Sequence, residues 1–219
     1  MRIFIDFDNT ITKGDVLNDL IARYSIRDDW MVLENAWALG EITTKECLSG
    51  QMNGVRIAKP ELIEYLRKVR IDPFFSKLIE LVRIKGIESS IVSDNFEPII
   101  KVILENHGIK DLTVYANHLK IYRDRFFPSF PYQNPDCSFC AHCKKVHFMN
   151  DPHSKDAPVI YIGDGRSDIC AAKEADIVFA KDKLLEYFKK HGLPCIEFND
   201  LATVYDYLKE RALGLVFST

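Results

Sequence analysis

The sequence predicts an α/β fold: a doubly wound, Rossmann-like parallel sheet with an inserted bundle of helices. Apolar runs of strand length recur along the chain, and stretches with apolar residues three and four apart separate them. Strands that are apolar on both faces and alternate with amphipathic helices are typical of a parallel sheet covered on both sides. A purely helical stretch near the N-terminus predicts the insertion.

The apolar runs predict four strands, at residues 2–5, 90–92, 159–162 and 177–179. The helical periodicity predicts helices between and after them, at residues 75–82, 97–104, 184–188 and 204–208. Functional side chains in such sheets lie at the carboxyl ends of the strands. In this chain aspartate, serine and glycine follow three of those ends.

Two segments interrupt the alternation. Residues 14–72 are helical throughout, with helices predicted at 16–24, 30–39, 44–52 and 60–69, so we expect a core of residues 1–13 and 73–219 with residues 14–72 as a helical cap. Residues 118–154 are rich in proline and cysteine and predict a hairpin or a long loop.

The charge balance excludes some classes of partner. The 219 residues include 29 lysines and arginines against 32 acids, a net charge of -3, so neither nucleic acid nor an anionic membrane is an expected partner. Acids enter the N-terminal apolar run early and no stretch is long enough to span a membrane, which predicts a cytoplasmic protein with reduced cysteines.

The first candidate site residues are Asp6 and Asp8, two apart at the end of the first strand. Strand residues i and i+2 project to the same side, and two carboxylates held so close repel each other unless a cation or a shared proton relieves them. The alternative interpretation is a turn at Asp8-Asn9-Thr10 that caps the next helix.

Two further strand ends carry polar groups. Ser93 follows the second strand, and Gly163-Asp164-Gly165-Arg166-Ser167-Asp168 follows the third. Each is also compatible with a helix N-cap, by Ser93 or by Ser167 or Asp168. The glycine-containing segment lacks the third glycine of a dinucleotide fingerprint and the Gly-Lys-Ser/Thr of a P-loop.

Considered together, these strand ends place four aspartates, at positions 6, 8, 164 and 168, around one point. Such a density of carboxylates favours a hard cation, and all-oxygen ligation favours Mg²⁺. A cation with a free carboxylate, a hydroxyl and a nearby ammonium meets the needs of phosphoryl transfer.

These motifs resemble the four motifs of the haloacid dehalogenase-like (HAD) phosphatases. The resemblance lies in Asp6-Phe7-Asp8-Asn9-Thr10, Ser93, a lysine after the cysteines and the segment from Gly163 to Asp168, in that order. The helical insertion is similar to the cap of the phosphoserine phosphatase branch. Cys143-Lys144 and Asp15 are most similar to two groups, the methionine-salvage phosphatases of 2-hydroxy-3-keto-5-methylthiopentenyl-1-phosphate and the phosphoethanolamine/phosphocholine phosphatases.

The resemblance implies a Mg²⁺-dependent phosphomonoester hydrolase for a small phosphorylated metabolite. Asp6 would form an aspartyl phosphate, and Asp8 would act as general acid and base. The metal would be held by Asp6, Asp8, Asp164 and Asp168. Phosphate or substrate would be bound by Thr10, Ser93, Lys144 and Asp15, with Lys145 the rival of Lys144.

Asp15 stands where phosphoserine phosphatases carry a glutamate that binds the amino group of the substrate, so phosphoserine is a doubtful substrate. Trp30 and Trp37, seven apart on a predicted helix, share one face that packs in the core or lines an apolar pocket.

The spacing Cys137-x-x-Cys140-x-x-Cys143, with histidines at 142, 147 and 153, could hold a structural Zn²⁺, although buried reduced thiols are the commoner outcome. The other three cysteines, Cys47, Cys170 and Cys195, are interpreted as core residues.

Two alternative functions remain open at this point. A phosphotransferase or mutase would pass the aspartyl phosphate to a second alcohol. A non-catalytic binding module would keep the fold and hold zinc at its cysteines without turning over a substrate.

Overall fold

The structure, a computed structural model, describes residues 1–137, 139–149 and 157–214. The strands are β1 (Arg2–Ile5), β2 (Glu88–Phe96), β3 (Thr113–Tyr122), β4 (Arg125–Ser129), β5 (Val159–Gly163), β6 (Ile177–Ala180) and β7 (Ile196–Glu197). They form one sheet in the order β4-β3-β2-β1-β5-β6-β7. Every neighbouring pair is parallel except β3 and β4. The predicted doubly wound sheet is confirmed.

Longer helices cover the sheet and form the insertion: α1 (Val16–Tyr24), α2 (Trp30–Leu39), α3 (Thr44–Gly54), α4 (Lys59–Arg67), α5 (Phe75–Ile84), α6 (Glu97–Asn106), α9 (Asp182–Lys190) and α10 (Leu201–Gly214). Two single-turn helices, α7 (Val146–Met149) and α8 (Ile169–Ala172), lie near the carboxyl ends of the strands, and a 3-10 turn at Arg166–Asp168 precedes α8. The predicted helices agree with these bounds to within three residues, except that α10 continues six residues beyond the predicted end at residue 208.

The sheet has two apolar faces, as its sequence pattern predicts. On β1, Ile3 and Ile5 join the larger core, while Phe4 points to the opposite face and joins the smaller one. Residues of α5, α6 and α10 pack in the larger core, and residues of α8 and α9 pack in the smaller one. This alternation of faces fixes which side chains can reach the carboxyl edge.

The segment expected to be a hairpin or a loop begins as a hairpin. β3 and β4 pair antiparallel around Arg123, which has a φ of 57°. The sequence did not predict β3 as a strand of the main sheet, nor the two-residue β7. β3 alternates apolar and polar residues over much of its length, and β7 is too short to form an apolar run.

Helices α1 to α4 lie between β1 and α5, and all of the strands listed above lie outside residues 14–72. The chain enters and leaves this segment at adjacent points, because Thr12 pairs with Ile71 and the Lys13 N–H donates to the Arg70 carbonyl oxygen at 2.9 Å. The Lys13 ammonium also lies 2.6 Å from a carboxylate oxygen of Asp72. These contacts hold the two crossings together. The division into core and cap itself stays a prediction.

None of the helices in the described residues is long and apolar enough to cross a membrane.

Candidate active site

Two acids follow β1 directly. The Asp6 N–H donates to the Ile162 carbonyl oxygen at 2.9 Å, which fixes Asp6 beside β5. The chain then reverses at Asn9, whose φ of 56° is a left-handed value that asparagine tolerates. Asp8 lines the cleft, and its Oδ1 accepts from the Val16 N–H at 2.8 Å, at the first residue of α1. Asp8 therefore contacts the first turn of α1, as the turn-and-cap interpretation expected, and also lines the cleft, as a catalytic role would require.

The carboxyl end of β5 brings two more acids to the same place. Asp168 is fully buried, and its Oδ2 accepts from the N–H groups of Asp164 and Gly165 at 3.1 and 2.8 Å. The Tyr161 hydroxyl donates to Asp168 Oδ1 at 2.6 Å. A Cβ on Gly163 would stand 2.7 Å from the Asp168 carboxyl carbon, so this close packing requires glycine.

Thr10 lies behind these acids. Its hydroxyl donates to Asp164 Oδ1 at 3.2 Å, and its side chain is 2% exposed. The cleft-lining residues that the structure describes do not include Thr10. Thr10 therefore contacts the Asp164 carboxylate and helps to orient it. Its expected contact with phosphate stays a prediction.

Lys144 supplies a buried cation at the centre of the acids. Its ammonium lies 2.5 Å from Asp6 Oδ1 and 2.6 Å from Asp168 Oδ1, and the side chain is 0% exposed. Burial lowers the pKa of Lys144, but the carboxylates of Asp168 and Asp6 outweigh that effect and raise its pKa well above the ordinary value. The group is therefore an ammonium ion at every pH of interest. Lys145, the rival, is half-buried and does not line the cleft.

One ammonium does not balance the acids around it. Asp6, Asp164 and Asp168 each offer an oxygen within 4.8 Å of the others. Burial, and then the charge of Asp168, raises the pKa of Asp6 well above its usual range and that of Asp164 to about 7. A divalent cation would relieve both effects, because it replaces the lost hydration and the repulsion with attraction. The donor set, all carboxylate oxygen, fits Mg²⁺.

The end of β2 completes the core side of the site. Ser93 is 1% exposed and lines the cleft, and its Oγ accepts from the Asn95 N–H at 3.1 Å. Asn95 Nδ2 donates to Asp8 Oδ2 at 2.8 Å. Burial, followed by the charge of Asp15, raises the pKa of Asp8 to about 8. The sequence alone does not show where the Asn95 amide points, so this contact was not predicted.

Asp6, Asp8, Asp164 and Lys144 line a cleft of about 550 Å³, and Asp168 lies behind them. That volume is in the range of sites that enclose small molecules. Residues from the inserted helices form its other wall: Asp15, Leu17, Asn18, Glu34, Trp37, Thr44, Cys47, Leu48 and Gln51. This cap wall contains acids, amides and apolar groups, and its described members include no lysine or arginine.

Two acids stand on the cap wall. Asp15 is the N-cap of α1, where its carboxylate accepts from the backbone N–H and the side-chain amide of Asn18, both at 2.8 Å. Glu34 accepts from Gln51 Nε2 at 3.1 Å. Burial, and to a smaller extent the charge of Glu34, raises the pKa of Asp15. Glu34, Gln51 and Asn18 were not predicted, because nothing in their spacing distinguishes them from solvated helix positions.

The two tryptophans divide their roles. Trp30 packs against the larger core, while Trp37 lines the cleft and donates from Nε1 to Thr44 Oγ1 at 3.0 Å. Trp37 also stacks on Phe139, with ring centroids 6.3 Å apart. The Thr44 N–H donates to the Phe139 carbonyl oxygen at 3.0 Å. The cysteine-containing loop thus contacts the cap wall directly.

The same loop is bound to the end of β2 through His142. Its Nδ1 lies 2.8 Å from the Ser93 carbonyl oxygen, so Nδ1 carries the proton, and its backbone N–H donates to Asp94 Oδ1 at 3.2 Å. Its Nε2 then accepts from the His147 ring at 2.7 Å. Burial lowers the pKa of His142, which keeps the ring neutral. Sequence reasoning considered these histidines only as metal ligands; His153 lies outside the described residues.

The cysteines that lie close together are not the three that the sequence spacing predicted. The described cysteine group is Cys137, Cys140 and Cys170, whose sulfur atoms lie within 4.8 Å of one another. Cys170 is exposed, so its interpretation as a core residue is wrong: it occupies the outward face of the short α8. Cys143 is buried, and its sulfur accepts from Asn134 Nδ2 at 3.6 Å. Cys47 is buried as expected.

Comparison with known families and proteins bears on the whole chain. A family model described as Putative Phosphatase matches residues 1–185. The Pdp3-interacting factor 1 of Schizosaccharomyces pombe is 28% identical, over 96% of this chain and 95% of that protein. The 2-hydroxy-3-keto-5-methylthiopentenyl-1-phosphate phosphatase of Bacillus pumilus is 27% identical, over 94% and 90%. The polyol phosphate phosphatase PYP1 of Saccharomyces cerevisiae is 29% identical, over 97% and 94%.

Solved structures agree on the fold. A phospho-aspartyl intermediate analogue of phosphoserine phosphatase superposes with a TM-score of 0.69 at 18% identity, covering 94% of this chain and 97% of that chain. A substrate-bound phosphoserine phosphatase complex also has a TM-score of 0.69, at 17% identity, covering 94% and 96%.

Proposed function

The chain belongs to the phosphatase family whose model matches residues 1–185, one of the HAD-like phosphatases, and from that premise we propose a mechanism and a substrate class. The mechanism is Mg²⁺-dependent hydrolysis of a small phosphate monoester through an aspartyl phosphate on Asp6. One observation carries it: Lys144 lies within 2.6 Å of both Asp6 and Asp168 in the cleft that Asp8 and Ser93 line.

The metal would be held by the Asp6 carboxylate, the Asp8 carbonyl oxygen and Asp164. Asp168 already accepts hydrogen bonds from the Tyr161 hydroxyl, two backbone N–H groups and Lys144. Its proposed role is to position these groups. When bound, Mg²⁺ supplies positive charge beside the phosphate, which lowers the repulsion between phosphate and nucleophile.

In the first half of the reaction an Asp6 carboxylate oxygen attacks phosphorus, and the bond from phosphorus to the alcohol oxygen breaks. Asp8 gives its proton to that oxygen, so the product leaves as an alcohol. The pKa of Asp8, about 8, provides a protonated carboxyl near neutral pH. Asn95 and the Val16 N–H hold that carboxyl in place at 2.8 Å each.

In the second half Asp8 takes a proton from a water molecule, and the water oxygen attacks phosphorus. The bond from phosphorus to Asp6 breaks, which releases inorganic phosphate and restores the Asp6 carboxylate. Lys144 and Ser93 are proposed to bind the phosphate oxygens throughout. Asp6 and Lys144 are each 5% exposed or less, which favours strong electrostatic stabilisation in a site shielded from bulk water.

The cap wall supports a substrate class. Its acids and amides offer hydrogen-bond acceptors to the alcohol part of the substrate, and its described residues include no lysine or arginine. The cations that line the cleft besides Lys144, which are Arg166 and Lys183, belong to the core side. We therefore expect a leaving group that carries hydroxyl or ammonium groups and no carboxylate, as in a polyol or amino-alcohol phosphate. A relative that is named for polyol phosphates fits this expectation.

Hydrolysis of p-nitrophenyl phosphate tests the reaction itself. We expect turnover with Mg²⁺ that is lost on chelation and restored by added metal, and lost in Asp6→Asn. A non-catalytic module would show no turnover under any of these conditions. A phosphotransferase would release less inorganic phosphate than alcohol when a second alcohol is added, whereas a hydrolase releases the two equally.

A screen of small phosphate esters tests the substrate class. Glycerol phosphate, phosphoethanolamine, phosphocholine and the methionine-salvage phosphate are compared by kcat/KM with phosphoserine, which carries a carboxylate. We expect phosphoserine to be the poorest of the set. Equal rates on every ester would contradict a dedicated cap-wall specificity.

A further inference from the structure

Four cysteines from two separate segments converge outside the cleft. Cys137, Cys140 and Cys143 belong to the loop before Lys144, and Cys170 lies on α8, which directly follows Asp168. The sulfur atoms of Cys137, Cys140 and Cys170 all lie within 4.8 Å of one another. The Cys143 thiol also interacts with that of Cys137. We refer to these four residues as the cysteine cluster.

The spacing matches a tetrahedral metal site. Four sulfur ligands at about 2.3 Å from a Zn²⁺ ion are separated by about 3.8 Å from each other. The sulfur separations among Cys137, Cys140 and Cys170, at most 4.8 Å, are compatible with that value after small side-chain adjustments. Cys143, whose thiol contacts that of Cys137, is the fourth candidate ligand. All four cysteines are unpaired with respect to disulfides.

The cysteine cluster offers sulfur ligands only. Thiolate sulfur selects Zn²⁺ over the hard cations that suit the carboxylates of the cleft. The two candidate sites therefore differ in ligand chemistry as well as in position.

From this arrangement we propose that the cysteine cluster binds one structural Zn²⁺ ion through Cys137, Cys140, Cys143 and Cys170. The ion would join the loop that carries Lys144 to the helix that follows Asp168. Between the same cysteines, Phe139 contacts Trp37 of the cap wall and His142 binds the Ser93 carbonyl oxygen. If the proposed function is right, the zinc ion stabilises the loop that positions Lys144 relative to Ser93 and to the cap wall. Zinc binding itself does not depend on that function.

Zinc content tests the proposal without any measurement of turnover. The full chain is purified under reducing conditions from zinc-supplemented cells, and bound metal is counted by mass spectrometry and by a chromogenic chelator after the thiols are blocked with a mercurial. We expect about one zinc per chain, the stoichiometry of a four-cysteine site. Replacement by Co²⁺ should give the visible absorption of tetrahedral cobalt bound to thiolates.

Cys170→Ser is the informative variant, because Cys170 is exposed and its change should leave the fold intact. We expect its zinc affinity to fall by more than about tenfold, since loss of a direct ligand should exceed the loss of an outer partner. Cys195→Ser, a partly exposed cysteine that does not belong to the cluster, is the matched control and should keep the zinc content of the wild type.

Three results would overturn the proposal: wild-type protein that takes up no zinc, a Cys170→Ser variant with wild-type affinity, or a disulfide between Cys140 and Cys170 that forms in the reduced preparation. Each is distinguishable from failure of the proposed function. A chain can hydrolyse phosphate esters without zinc, and a zinc-loaded chain can lack turnover.

Discussion

The two walls of the cleft differ in how fully their polar groups are bound. On the core wall, Asp168 receives four hydrogen bonds, and Lys144 bridges it to Asp6. On the cap wall, Glu34 accepts from Gln51 Nε2 at 3.1 Å and from the Cys47 thiol at 4.0 Å, and the described residues of this wall include no lysine or arginine. The core wall is a closed network, whereas Glu34 on the cap wall keeps acceptor capacity for a ligand.

Under the proposed mechanism, this difference separates two tasks. A preorganised network stabilises the charge of the phosphate whatever alcohol is attached, because the phosphate is common to all substrates. Free acceptors are costly unless a ligand pairs with them, and so they select ligands that bring hydrogen-bond donors. Variants of the core wall should therefore abolish hydrolysis of every ester, and variants of the cap wall should change the ranking of esters.

The largest effect is expected for Asp6→Asn, because the amide is a far weaker nucleophile of nearly the same shape. We expect kcat to fall by at least about 10,000-fold on every ester, as for removal of other covalent nucleophiles. Steady-state kinetics measure the loss. Asp200→Asn, an exposed acid outside the cleft, is the control and should leave kcat unchanged. A loss confined to some esters would contradict the claim that the core wall acts on every ester and the cap wall selects among them.

The next largest effect is expected for Lys144→Met, which removes the ammonium and keeps the bulk of the side chain. We expect a loss of about 100- to 1,000-fold in kcat, the usual cost of one donor to the reacting group. Without Mg²⁺, the free energy of unfolding should also fall by about 3 kcal/mol, because two buried carboxylates lose their partner.

Lys145→Met is the matched control, since Lys145 is adjacent and does not line the cleft. Its kcat and its urea midpoint should match the wild type. If Lys145→Met were the damaging variant instead, the assignment of the phosphate-binding lysine would be wrong.

A smaller and selective effect is expected for Glu34→Gln. The change removes one negative charge from the cap wall and keeps a hydrogen-bonding group of the same length. We expect kcat/KM for phosphoethanolamine to fall by about tenfold, the value of a hydrogen bond to a charged group, and that for p-nitrophenyl phosphate to stay within about twofold. Equal losses on both esters would show that Glu34 serves the reaction and not the choice of substrate.

The smallest effect is expected at the contact between the walls. Arg166 donates from Nη1 to the Ala38 carbonyl oxygen at 2.9 Å and so joins the turn after β5 to helix α2. We expect Arg166→Ala to lower kcat/KM by about threefold to tenfold, the value of a single exposed hydrogen bond. Lys183→Ala, at another lining cation of the core, is the control and should have less effect. Full activity in Arg166→Ala would mean that this contact does not help to hold the cap.

The sequence predicted the core wall better than the cap wall for a physical reason. Carboxyl ends of parallel strands converge at one edge, so Asp6, Ser93 and Asp164 could be placed together once the strands were recognised. Their apolar runs are continuous because both faces of the sheet are buried. Asn95 was harder to place, because its orientation depends on the turn after Ser93.

The cap wall could not be predicted in this way. Whether Glu34 or Gln51 faces the cleft depends on how α2 packs on α3, and on α2 no residue is fully buried, so periodicity does not mark an inner face. Cys170 was missed for a related reason: its partners lie about thirty residues earlier in the chain, and only the turn after β5 brings them together.

The most direct test of the account is chemical trapping of the intermediate. Asp8→Asn is mixed with p-nitrophenyl phosphate and Mg²⁺. The p-nitrophenolate leaving group needs little help from a proton donor, so the intermediate should still form. Its hydrolysis should be slow, because the variant lacks the Asp8 base. Borohydride then reduces an aspartyl phosphate to homoserine, which peptide mass spectrometry locates. We predict homoserine at position 6, formed only with substrate and metal present. A burst of p-nitrophenolate with an unmodified Asp6, or with the phosphate on another residue, would contradict the account.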